Sequence, residues 1–218
     1  MVITKMSEIE VKRLWEEHWS KGEPIEDTAS FIGKRLRKRR LQLTLDMLKP
    51  LDKSMNVIDM GCGGGRTLAI LRQAGFKDSI GIDYSQNALD NCEKHGYKIG
   101  KDVFHIDAKS TPYPDRYFGL GYSEGLWEHF KHPEPFIDEQ IRISDKYLMI
   151  LQPDHFSFFG HLLKLGWDLF ASKAGGVNEY SFRLEYFIKY LDQRGFKLID
   201  KRATRLNEQS VMLFERKF

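Results

Sequence analysis

Met55-Asn56-Val57-Ile58-Asp59-Met60-Gly61-Cys62-Gly63-Gly64-Gly65-Arg66-Thr67 opens the stretch that decides the fold, and Ser79-Ile80-Gly81-Ile82-Asp83-Tyr84-Ser85 closes it. Met55 to Met60 reads as a short apolar strand, Gly61 to Gly65 as a turn, and Thr67 to Ala74 as a helix with Gly75 as its C-cap. Ser79 to Asp83 is a second strand. Strand, glycine turn, helix and strand in that order predict a parallel pair with a crossover helix.

The rhythm continues outward. Ser85 caps a helix running to about His95, ended by Gly96; Val103 to Asp107 and Tyr117 to Tyr122 are third and fourth strands. A helix near Pro135 to Ile143 leads into a fifth strand, Lys146 to Leu151. Residues 153–182 break the pattern with an aromatic-rich insertion. A helix from Phe182 to Arg194 follows, then two closing strands, Phe196 to Ala203 and Gln209 to Lys217, expected to be antiparallel. Upstream, residues 7–20 form a helix with Ser7 and Glu10 as a capping box. Val11, Leu14, Trp15, His18 and Trp19 fall on one of its faces. A second helix runs from about Thr28 to Lys49 and stops at Pro50. Residues 1–50 are thus expected to be a helical cap, and 51–218 the α/β domain.

Composition excludes several classes. At 218 residues with 41% hydrophobic and 30% charged content, the chain suits one α/β domain with an appendage. A net charge of +3 is too small to indicate a nucleic-acid partner by itself. Cys62 and Cys92 form neither a Cys-x-x-Cys pair nor a metal-like cluster, so no metal or disulfide is expected. Met1 to Trp15 lacks the apolar stretch of a signal peptide, and no run approaches the ~18 apolar residues of a membrane span. A cytoplasmic location is the expectation.

The glycine loop ends a strand and opens a helix, where backbone can approach a ligand and helix N–H groups are unpaired. Asp83, 18 residues past Gly65, ends the second strand, where a carboxylate can accept from both hydroxyls of a ribose. Its alternative role is a turn or cap residue before Tyr84-Ser85. Dinucleotide sites require a third glycine for close helix–strand packing; here that position is Arg66. Asp59, two residues before the first glycine, would repel a diphosphate and complement a cation. That combination favours S-adenosylmethionine, which carries an ammonium and a sulfonium, over a nicotinamide dinucleotide. Capping of the loop backbone is the alternative for Asp59.

These segments resemble class I S-adenosylmethionine-dependent methyltransferases. Val57 to Gly65 is similar to their first motif and Gly81 to Ser85 to their second. Asp107-Ala108 with Pro112 to Phe118 resembles the end of the third strand and the approach to the fourth. Ser123-Glu124-Gly125-Leu126-Trp127-Glu128-His129 resembles the segment after strand four in the small-molecule branch, which includes quinone-biosynthesis enzymes. The likeness spans roughly residues 40–155, with all four segments in order. It implies a Rossmann-like α/β fold: a seven-stranded, mostly parallel sheet with helices on both faces and a lid insertion after strand five. It further implies that Asp59, Gly61 and Gly63 line the methionine end and that Asp83 holds the ribose, with Tyr84 beside the adenine. Asp107 and the Ala108 N–H would meet the adenine, and Ser123 and Glu124 would border the sulfur. Tyr84 can equally be a helix-start aromatic, and Cys62 reads as packing.

Methyl transfer is an in-line displacement that needs chiefly positioning, with a general base only for a protonated acceptor. Candidate bases are Glu124, Glu128, His129 and His155; His129 stands out, against the plainer reading of a histidine bonded to backbone. Phe156, Phe158, Phe159, Trp167, Phe170, Tyr180 and Phe182 suit either a lid selecting an apolar or aromatic small-molecule acceptor or a local core, with Gly175-Gly176 as a hinge. Lys34-Arg35-Leu36-Arg37-Lys38-Arg39-Arg40 has six basic residues in seven, which raises an RNA or protein methyltransferase as a second reading. A solvated basic helix is the plainer one. A non-catalytic nucleoside-binding module is a third reading.

Overall fold

The computed structural model describes residues 7–21, 31–166 and 179–217, with only the backbone of 31–37. Within them lie helices α1 (Glu8–Ser20), α2 (Phe31–Leu48), α3 (Arg66–Gln73), α4 (Gln86–Lys94), α5 (Glu134–Ile143), α6 (Phe158–Gly166) and α7 (Leu184–Gln193). The strands are β1 (Val57–Met60), β2 (Ser79–Asp83), β3 (Val103–His105), β4 (Phe118–Glu124), β5 (Ser144–Pro153), β6 (Phe196–Ala203) and β7 (Gln209–Arg216). They form one seven-stranded sheet in the order β3-β2-β1-β4-β5-β7-β6. Neighbours from β3 to β5 are parallel, and β7 runs antiparallel to both β5 and β6. This is the Rossmann-like arrangement, with the strand order reversing between β1 and β4. Ligands of such sheets bind outside the carboxyl ends at that reversal.

Strand alternation builds two cores. Ile58, Met60, Leu148, Ile150, Met212 and Phe214 face α5, α7 and the Trp127–His129 turn. Val57, Leu120, Tyr122, Met149, Leu151 and Leu213 face Leu43, Met47 and Leu48 of α2 and Leu71 of α3. Burial on both faces is why β1 reads as an unbroken apolar run apart from Asp59. Helix termini follow local chemistry: Ser7 and Glu10 form the capping box, and the Ser85 side chain accepts from Ala88 N. Gly75 follows α3 with φ +102°.

Two strands are longer than sequence alone delimits. β4 runs on through Ser123 and Glu124, and β5 from Ser144 through Pro153. Cross-strand pairing carries the extension, with Ser123 opposite Ile150, Glu124 opposite Leu151 and Gln152 opposite Ser210. Polar residues near the ends of apolar runs hide such extensions from a reading by hydrophobicity. β3 is shorter, because Ile106 and Asp107 leave the sheet. The expected start of the second helix near Thr28, and Trp167, Phe170 and Gly175-Gly176, lie outside the described residues.

Candidate cofactor and acceptor site

Gly61, Gly63 and Gly65 all have positive φ, at +75°, +50° and +83°. This lets the chain leave β1, return a carbonyl from Cys62 to Gly65 N at 2.9 Å, and start α3. Gly63 needs its missing side chain twice over: its φ is left-handed, and a Cβ would stand 2.6 Å from Trp19 Cζ2. Arg66, which spoils the dinucleotide pattern, is the first residue of α3 and reaches Glu124 Oε1 at 3.1 Å. Cys62 and Cys92 are buried free thiols packed with Leu68, Leu89 and Val103, and the Cys92 thiol donates to Gly63 O.

Asp83 straddles the loop. Its Oδ2 accepts from Gly63 N and its Oδ1 from Ser85 N, each at 2.9 Å. Each oxygen keeps a second lone pair, so the same carboxylate can receive a diol. Burial raises its pKa, with the Ser85 and Gly63 N–H groups opposing that rise. Asp59 is only 1% exposed, and neither carboxylate oxygen has a partner among the described residues. Burial, then Glu124 and Asp83, push its pKa well up, while Arg66 opposes. A buried polar atom without a partner costs about 1–3 kcal/mol unless water or a ligand completes it.

Helix α1 lies over this edge. Tyr84 Oη donates to Lys12 O at 2.7 Å, Asn87 bonds Glu16, and Asn91 Nδ2 donates to Trp19 O at 3.1 Å. Lys12 Nζ meets Asp107 Oδ2 at 2.5 Å, and Asp107 Oδ1 accepts from Lys109 N at 3.0 Å. Burial works against the Asp107 charge, but the Lys12 bond holds its pKa below the ordinary carboxylate value. Ala108, beside it, is buried in the core shared with α1. The N-terminal helix therefore covers the loop and the Asp107 end, a role its apolar face alone does not specify.

Glu124, its side chain 10% exposed, is saturated. Arg40 and Arg66 reach Oε1 at 3.2 and 3.1 Å, and Thr67 Oγ1 donates to Oε2 at 3.2 Å. Burial works upward on its pKa; the two guanidiniums bring it below the ordinary value. Such a carboxylate is a weak proton acceptor. The cleft it borders, about 240 Å³ and lined by Arg40, Thr44, Arg66, Ile70 and Gln73, lies on the α2–α3 side of the sheet. Arg40 also donates to Gln209, so the basic run turns one of its charges inward; Lys38 and Arg39 are exposed.

On the other side, residues converge that sequence spacing did not group. Glu128 and His129 sit on a single 3-10 turn after β4 and are 4% and 6% exposed. The His129 ring meets Trp15 of α1 edge-on, centroids 4.9 Å apart. Tyr180 N donates to Glu128 O at 2.6 Å, docking the returning end of the insertion on that turn. Glu179 then reaches His155 Nε2 at 3.1 Å. Ser123 Oγ, Glu128 Oε2, both amide atoms of Gln152 and His155 Nδ1 are buried without a hydrogen-bond partner among the described residues. Burial drives the Glu128 pKa well up, Glu179 and Glu124 add to the rise, and the nearby Gln152 amide opposes it. Burial also works upward on Glu179, but the His155 bond and the charge of His129 leave its pKa lowered.

The aromatic residues of the insertion divide. Phe182 joins the core against Tyr186 and Phe187, and Phe156 lies under Arg183. Phe158 and Phe159 on α6 are 74% and 41% exposed. Among the described residues, the insertion brings His155 and Glu179 to the site rather than an aromatic cover. Sequence reasoning named Glu128 and His155 but missed Gln152 and Glu179. An amide ending an otherwise apolar strand was the available signal for Gln152; Glu179 carried none.

A glycine turn at the strand reversal, a carboxylate with free lone pairs beside it and a buried acid without a partner stand where open α/β sheets bind their ligands. Residues 58–146 match the family described as methyltransferase domain. The chain is thus similar, over less than half of its length, to a methyltransferase domain. It is 33% identical over 101 residues to ajmaline N-methyltransferase of Rauvolfia serpentina, covering 44% of this chain and 34% of that one. It is 32% identical over 104 residues to the tRNA (carboxymethyluridine(34)-5-O)-methyltransferase alkbh8 of Xenopus tropicalis, covering 46% and 15%. The chain thus spans about a third or less of these relatives' length. Magnesium protoporphyrin IX methyltransferase of Synechocystis PCC 6803, solved with bound S-adenosylhomocysteine, shares the fold at TM-score 0.67, with 18% identity and 94% of each chain covered. No helix among the described residues is long and apolar enough to cross a membrane.

Proposed function

We propose that this chain transfers the methyl group of S-adenosylmethionine to a small-molecule acceptor that lies beside Ser123 and the Trp127–His129 turn. The observation that carries the cofactor half of this reading is Asp59. Its buried carboxylate, unpartnered next to the glycine loop, suits a ligand with an ammonium and a sulfonium and disfavours a diphosphate. Asp59, Gly61 and Gly63 would hold the methionine end, Asp83 the ribose, and Tyr84, Asp107 and Ala108 the adenine end. Residues 1–50 would serve as a cap on that site, on the strength of the α1 contacts. The cofactor supplies an electrophilic methyl carbon on a sulfonium that leaves as a neutral thioether. The chain's own part is to hold the acceptor nucleophile in line and to exclude water.

Trp15 and His129 offer an aromatic flank for an apolar or aromatic acceptor body. Glu124, held by two arginines, is a positioning residue for α2 and α3, which leaves His129 and Glu128 as the proton-accepting candidates. The inward turn of Arg40 leaves less of the 34–40 run for RNA, so the small-molecule reading is preferred.

Calorimetry tests the cofactor assignment. S-adenosylhomocysteine should bind saturably and NAD at millimolar concentration should not. Asp83→Ala, with folding verified by circular dichroism, should weaken that binding by about 1–3 kcal/mol. Unchanged affinity in the folded variant would remove Asp83 from the ribose, and saturable NAD binding would overturn the cofactor itself.

A further inference from the structure

We infer that the reacting group of the acceptor is a basic amine, received between the Glu128 and Glu179 carboxylates and oriented by Gln152 and His155. This rests on the methyltransferase reading and names the substrate class of that site.

Four separate segments supply this polar cluster. Glu128 and His129 come from the turn after β4, Gln152 from the last residues of β5, His155 from the chain just beyond it, and Glu179 from the returning end of the insertion. The Tyr180 N to Glu128 O bond at 2.6 Å fixes the two carboxylate-bearing segments against each other. Gln152 is fully buried, stands beside Glu128, and has neither its amide oxygen nor its nitrogen satisfied among the described residues. Glu128 Oε2 and His155 Nδ1 are likewise buried and unpartnered. Ser123, next to this set on β4, has an unpartnered Oγ and is also fully buried.

The charge balance selects the ligand. Arg40 and Arg66 are already paired with Glu124, so they do not neutralise Glu128. Glu179 bonds His155 Nε2 at 3.1 Å, while Glu128 Oε2 has no such partner among the described residues. Two carboxylates on segments joined by the Tyr180 N to Glu128 O bond repel an acid and attract an ammonium. A hydroxyl has one proton to donate, whereas an ammonium has several, enough for Glu128 Oε2 and Gln152 Oε1 together. Gln152 Nε2 is then left to donate to an acceptor atom on the same ligand. Arriving protonated, the nitrogen has no lone pair. Passing one proton to the Glu128 carboxylate leaves a neutral amine and a neutral carboxylic acid, and burial favours that uncharged acid. Methyl transfer to the freed lone pair returns the positive charge to nitrogen as the sulfur loses its own.

Binding to the full chain saturated with S-adenosylhomocysteine tests this by calorimetry. The probes are phenethylamine and tryptamine, their alcohol isosteres phenethyl alcohol and tryptophol, and the acids phenylacetate and indoleacetate. At least one amine should bind about tenfold or more tighter than its alcohol, and the acids should not bind. Glu128→Gln combined with Glu179→Gln should abolish that preference while S-adenosylhomocysteine affinity stays within about twofold. Tighter binding of an alcohol or an acid overturns the inference, as does failure of both amines to bind, or a preference that survives in the double variant. Absence of S-adenosylhomocysteine binding would instead overturn the methyltransferase reading, so the two failures are distinct.

Discussion

Glu124 and Glu128 lie four residues apart, at the end of β4 and in the turn just after it; Glu128 is buried and the Glu124 side chain is 10% exposed. Their surroundings are opposite. Glu124 points to the α2–α3 side, where Arg40, Arg66 and Thr67 complete its oxygens. Glu128 points to the insertion side, where Oε2 meets nothing among the described residues and a second carboxylate stands nearby. The same contrast extends to their neighbourhoods. On the covered side, Asp83, Tyr84 and Asp107 are held by Gly63, Ser85, Lys12 and Lys109. On the other, Ser123, Gln152 and His155 keep unsatisfied atoms. A buried polar group without a partner costs stability, and water, a ligand or a catalytic role can supply what completes it. Asp59 belongs with the bare set.

Substitutions separate the two situations. The largest effect is expected for Glu124→Gln, which strands two guanidiniums beside an uncharged amide and should lower unfolding free energy by about 3 kcal/mol in urea titration. Since the two arginines outweigh burial and leave the Glu124 pKa below its ordinary 4.5, the wild-type advantage exists above that pH and fades as pH falls through the folded value. Glu128→Gln should act with the opposite sign. Its folded pKa lies well above 4.5, so the wild type loses stability relative to the variant as pH rises from 4.5 towards the folded value. Parallel pH–stability curves for the two variants would erase the distinction between completed and bare carboxylates. The smallest effect belongs to Lys12→Ala. Its pair with Asp107 is partly exposed, so thermal unfolding should register about 0.5 kcal/mol or less. A loss as large as that of Glu124→Gln would mean that α1 is fastened mainly through this ion pair.

The glycine turn and the elements around it were legible in the sequence because their requirements are local. A left-handed turn needs glycine, a strand end needs an acid at a fixed distance, and a helix start needs Ser85; each leaves a mark within a few residues. Arg66 was legible as a mismatch, while its reason, the ion pair with Glu124, lies 58 residues away. The polar cluster of Glu128, Gln152, His155 and Glu179 follows no period in its spacing, and its proximity depends on β5 reaching Pro153 and on the insertion returning to the 3-10 turn. The aromatic content of residues 153–182 drew attention to rings, yet Phe182 serves the core and Phe158 faces solvent. Hydrophobic pattern reports burial well and says little about which polar side chains meet.

Trp19 closes against Gly63 and Gly64, so closely that even a methyl group on Gly63 would collide with its ring. Its helix is tied to α4 through Glu16–Asn87 and the Trp19 carbonyl, and to Tyr84 through the Lys12 carbonyl. A ligand entering between that helix and the glycine loop therefore has to shift Trp19, which already fills that gap. Its affinity follows from the groups it touches, whereas its entry and release follow from how often those ties open together.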